Sequence, residues 1–219
     1  MTKDGRPSLI NDIRLFAGDR SSYLQGQQES VAYGRRIAWY LNSEGFSLGA
    51  FPALYVFFTP SLQPGVVRFT NDHGDWWHRY VHVGVTADFP NVPDTLEVIM
   101  RGIVDALLEM QPDEADTIRR ADAIVREHGE HLRFLLKRRE TKKLVIEISF
   151  TIGVWPGPSY LFIAHTDKAT GSYSEADPVA LGTYWEGFDL AGAIRLHDAI
   201  NLQEKPCKPA LSRLVKRRG

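Results

Sequence analysis

The stretch His73-Gly74-Asp75-Trp76-Trp77-His78-Arg79-Tyr80-Val81-His82 holds three of the seven histidines and two of the five tryptophans, which makes it the first place to look for chemistry. Read as a strand over 76–89, it alternates. Trp76, His78, Tyr80, His82 and Gly84 line one face, and Val81, Val83, Val85, Ala87 and Phe89 the other. A face of rings and imidazoles can stack, hydrogen-bond and change charge near neutral pH. It makes a poor metal site by itself. At about 3.3 Å per residue His78 and His82 stand roughly 13 Å apart, whereas shared ligands sit near 2 Å from one ion, as a rough guide. Such a face either packs as a layer under other elements or meets a partner. The expectation is a partner-binding surface built from Trp76, His78, Tyr80 and His82, and in the alternative catalytic reading His78 or His82 pairs with Asp75 as acid and base.

Two other constellations carry reactive side chains. Glu127-His128-Gly129-Glu130-His131 puts Glu127 and His131 at i, i+4 and the two histidines at i, i+3. The metalloprotease pattern needs three residues between its histidines, so this is not one. His128 also lies on an apolar stripe, where a satisfied core histidine is expected. His165-Thr166-Asp167 precedes Thr170-Gly171-Ser172 and offers a second His–Asp pair, but Asp and Ser at such a place ordinarily cap their own turn. Nucleophile elbows, Walker loops and dinucleotide fingerprints do not occur. The single cysteine, Cys207, excludes an internal disulfide framework and a multi-cysteine metal site. The reading therefore assigns no catalytic residue, no metal and no cofactor.

These residues need elements to hold them. Tyr33, Ile37, Tyr40 and Leu41 predict a helix over 28–42. Ala53–Thr59 is apolar, aromatic and bounded by prolines, as strands are. Residues 65–70 and 76–89 follow as strands across short turns, which favours antiparallel pairing. Asp94 and Glu97 have capping-box spacing, and Leu96, Ile99, Met100, Ile103, Val104, Leu107 and Leu108 form a helical stripe over 94–110. A second stripe, Ile118, Ala121, Val125, His128, Leu132, Leu135 and Leu136, predicts a helix over 113–139 with Lys137, Arg138 and Arg139 at its negative end. From Leu144 the period changes to two: Leu144, Ile146, Ile148, Phe150, Ile152 and Val154 face one way, as in a strand covered on one side. Residues 159–165 return as its hairpin partner, and 190–202 close as a helix. The fold class expected is α+β, an antiparallel sheet packed on a pair of central helices in a single compact domain over 1–204, with a basic tail over 205–219.

Net charge is −1, but the tail holds six basic residues and no acid, and removing its +6 leaves −7 for residues 1–204. So acidic a body repels nucleic acid over most of its surface. No apolar run approaches the roughly 18 residues that span a bilayer, no secretory signal is visible at Met1–Pro7, and a cytoplasmic, soluble protein without a membrane partner is expected. An acidic body with an aromatic sheet face suits a non-enzymatic protein-binding module. Its narrowest form is an immunity-type inhibitor that masks a basic toxin domain. The alternatives are a small hydrolase or transferase using the His–Asp pairs, and a domain binding a small apolar ligand.

Overall fold

A computed structural model describes residues 6–19, 22–69 and 78–193. The chain belongs to the mixed α and β class and divides into two compact units, Met1–Leu132 and Arg133–Gly219. No described helix is long and apolar enough to cross a membrane. Trp76, Asp75, Cys207 and the basic tail lie outside the described residues.

The first unit runs β1 (Asp12–Ala17), β2 (Ser22–Tyr23), α1 (Gln28–Ser43), β3 (Ala53–Thr59), β4 (Val67–Phe69), β5 (His78–Gly84), α2 (Thr95–Met110) and α3 (Ala115–His128). Its sheet has the order β2-β1-β3-β5-β4. The expected antiparallel pairing is corrected at its centre, where β1–β3 and β3–β5 are parallel. The physical reason is that β3 and β4 are joined by a short turn without pairing, and β5 inserts between them, antiparallel to β4 alone. With β1, α1 and β3 forming a crossover unit, β3 becomes an interior strand, and all seven of its residues are buried.

The stripes of the helices meet one face of this sheet. Ile37 and Leu41 of α1, Ile99, Ile103 and Leu107 of α2, and Ile118 and Val125 of α3 share a core with Leu54, Val56, Phe58, Val81 and Val83. Asp94 makes no side-chain cap at α2.

The helix expected over 113–139 ends at His128. Gly129, at φ 50°, adopts a backbone that L side chains rarely take, and so stops the helix. His128 is therefore exposed rather than part of the core.

In the second unit β6 (Phe134–Glu140), β7 (Leu144–Phe150), β8 (Ser159–Asp167), β9 (Tyr173–Glu175) and β10 (Val179–Leu181) precede α4 (Glu186–Ala193). All its strand pairs are antiparallel, in the order β10-β8-β7-β6, with β9 also on β8. Lys137, Arg138 and Arg139 sit on the edge strand β6, where charge discourages pairing with another chain. On β7, Ile146, Ile148 and Phe150 are buried while Val145, Glu147 and Ser149 are half-buried, which matches the period-two pattern. The Phe150 ring packs 5.6 Å from Phe134, 5.6 Å from Phe188 and 6.0 Å from Tyr184.

Candidate functional site

β5 places His78, Tyr80 and His82 on one face, as the alternation predicts, and it is the face turned away from the helical core. Register then builds rows across the sheet. Arg14, Tyr55 and Tyr80 are partners in one row, and Phe16, Phe57 and His82 in the next. The rings of these rows stack: Phe16 on Phe57 at 4.8 Å, Phe57 on His82 at 5.0 Å, and Tyr55 on His78 at 4.2 Å with an interplanar angle of 6°. His78 Nε2 lies 3.1 Å from the Tyr80 hydroxyl.

The inner rows are not open surface. Phe57 and His78 are each 3% exposed, while Tyr80 and His82 are half-buried. Tyr23, at the sheet edge, remains 56% exposed and stacks on Phe16. Arg14 bonds Asp12 at 2.7 Å and lies over the Tyr55 ring. Burial lifts the Tyr55 phenol above its ordinary pKa, so it stays a neutral hydroxyl. Stacked and largely covered, these groups behave as a packing layer first.

At the carboxyl ends of β1 and β3 a polar group gathers that has no local signal in the sequence. Thr59 donates from Oγ1 to Asp19 Oδ1, and Ser61 donates from Oγ to Asp19 Oδ2 at 2.6 Å. These hydrogen bonds, Ser61 first, hold the Asp19 carboxyl below its ordinary pKa, with a smaller contribution from His82. The sign follows from the depressed value. The bonds favour the ionised form, so their stabilisation is present above the unfolded pKa and fades as pH falls through the folded one. Thr59→Val is expected to raise the Asp19 pKa toward the ordinary carboxylate value, read by NMR titration of the carboxyl carbon. An unchanged titration would show that the hydroxyl does not contribute.

The other expected pairs do not assemble into a catalytic set. Asp167 accepts from the backbone N–H of Ala169 and Thr170, both at 2.9 Å, and so caps its own turn, as its type suggests. His165 Nε2 instead meets Ser174 Oγ at 3.0 Å on the β8–β9 hairpin, but among the described residues no carboxylate is hydrogen-bonded to that imidazole to orient it. His128 and His131 are both exposed, and the described residues contain no group of three His, Cys, Asp or Glu placed to hold a metal.

Charge is more unevenly placed than the whole-chain value suggests. Residues 94–132, which form α2, α3 and their turns, carry ten acidic and four basic side chains, a net of −6. Arg126 pairs with Glu97 and Asp122, and Arg120 with Glu44, just past the end of α1. Glu109, Asp113, Glu114 and Glu127 are exposed and make no ion pair among the described residues. The outward surface of the two helices is thus a negative field.

Comparison with family models, with curated proteins and with solved structures finds no match for this chain.

Proposed function

We propose that this chain is a non-catalytic protein-binding module that masks a basic surface on a partner protein, in its narrowest form an immunity-type inhibitor of a toxin or effector. The observation that carries the reading is the net charge of −6 on residues 94–132, with Glu109, Asp113, Glu114 and Glu127 exposed on the outside of α2, α3 and their turns. A negative patch steers a positive partner and rejects partners of like charge. The helices outweigh β5 in this proposal. Burial gives His78 a packing role and leaves Tyr80 and His82 as half-buried contributors.

The test is affinity capture at low ionic strength from the source cells. Wild type is compared with a Glu109→Gln, Asp113→Asn, Glu114→Gln, Glu127→Gln variant. Amides rather than lysines keep the change at the start of α3 mild, since acids there cost only about 0.3–1 kcal/mol each when lost. A basic protein retained by wild type and released from the variant, at nearly equal melting temperature, is the expected result. Identical retained sets would sink the reading.

A further inference from the structure

The first unit contains a cleft of about 300 Å³ between the carboxyl end of β5 and the first turns of α2. Its walls include Val83, Val85, Val92 and Val98, and two charged residues, Arg101 and Asp105, border it. The position is chemically sensible, because the carboxyl end of a parallel strand is where sheets of this kind open a crevice. The cleft is apolar except at one end. Arg101 is well exposed, its side chain 70% accessible, and its nearest carboxylate is Glu97 at 3.8 Å. Asp105 is half-buried. Among the described residues nothing donates a hydrogen bond to it, and only Arg101 exerts a charge effect on it. Partial desolvation accordingly pushes its pKa up from its ordinary value, against the smaller pull of Arg101.

We infer that this cleft is a subsite for a basic side chain, a lysine or arginine presented by the partner, with its aliphatic stem on the valine walls and its charged head at Asp105. The inference rests on the reading of the chain as a binder of basic surfaces, and it names where one anchor enters. Size and charge both fit. A single long side chain enters a cleft of this volume without crowding, and cationic side chains lay their methylenes on apolar surface while their heads seek a counter-charge. An incoming cation would supply the partner that Asp105 lacks among the described residues, and the surrounding negative helices draw it in.

The full chain, isotopically labelled, is titrated with n-butylammonium and n-propylguanidinium, with 1-butanol as the neutral probe of similar stem. Saturable amide shifts at 83–86 and 98–105 are expected with both cations, with 1-butanol at least about fivefold weaker, as for a hydrogen bond to a charged group. Asp105→Asn should erase the preference for the cations without lowering the melting temperature. Arg101→Gln should strengthen cation binding by removing a competing charge. Equal binding of 1-butanol, shifts in Asp105→Asn that match wild type, or no saturable shift at all would each overturn the subsite. Its failure is separable from failure of the broader reading. Capture lost only in the four-residue amide variant, with the small cations not binding, leaves the acidic surface standing and removes the cleft.

Discussion

Phe57→Ala is expected to lower stability by about 3–5 kcal/mol, the cost of emptying a large aromatic from a packed interior. The ring is 3% exposed and lies at the middle of the aromatic layer, against Phe16, Tyr80 and His82. The measurement is a urea unfolding curve, with the slope checked so that the midpoint change can be read as stability. A loss below about 0.5 kcal/mol, typical of open surface, would show that this sheet face is accessible. It would also return Tyr80 and His82, with Trp76 beside them in the sequence, to the front rank of binding anchors. The experiment therefore decides between two uses of the same residues, packing and recognition.

Gly84→Ala is the second large effect. A Cβ built on Gly84 would fall 1.9 Å from the Gln63 carbonyl oxygen and 2.7 Å from its carbon. Both atoms are backbone, so no side chain can swing aside. The contact exists because the turn over 63–66 folds across the end of β5, where Gly65 N–H donates to Gly84 O at 2.9 Å and Gly84 N–H donates to Val66 O at 2.8 Å. The substitution must break that lap or displace the strand, and an overpacking loss of about 3 kcal/mol, the upper part of the usual range, is expected. The same turn borders the cleft at Pro64 and Gly65, so the cation shifts at 83–86 should be lost along with it. A Gly84→Ala protein with wild-type unfolding would contradict the geometry of this corner.

Much of the fold was legible because helical and strand periods record which face is covered. The first helix was expected over 28–42 and spans Gln28–Ser43. The stripe through Ile99, Ile103 and Leu107 does face the core. Two errors have local causes. The run Ala53–Thr59 has apolar residues at every position, which is what burial on both faces demands, yet the short connections after it pointed to hairpins. Turn length alone does not reveal that a later strand inserts between two earlier ones. The stripe extended past Gly129 because Leu132, Leu135 and Leu136 continue a helical spacing by coincidence. Leu132 packs on the first core, whereas Leu135 and Leu136 belong to β6.

The candidate site divides in the same way. Alternation put His78, Tyr80 and His82 on one face, but a pattern of period two says which residues share a face and not how deeply they are buried. Asp19 and Thr59 are 40 residues apart in sequence, so their meeting leaves no local mark. The cleft was partly within reach. Val98, Arg101, Gly102 and Asp105 recur at helical spacing on one side of α2, with two charges interrupting the edge of an apolar stripe.

The central claim, that the acidic helices steer a basic partner onto this chain, is tested most directly by the association rate constant of the captured pair as salt is raised. At low salt a steered encounter exceeds an unsteered one by tens- to thousand-fold, and it slows steeply as the screening length falls to about 8 Å near physiological ionic strength. Wild type is expected to associate rapidly and to lose at least about tenfold in rate across that range. The Glu109→Gln, Asp113→Asn, Glu114→Gln, Glu127→Gln variant should start slower and respond less to salt. Equal rates for the two proteins, both flat in salt, would contradict the account.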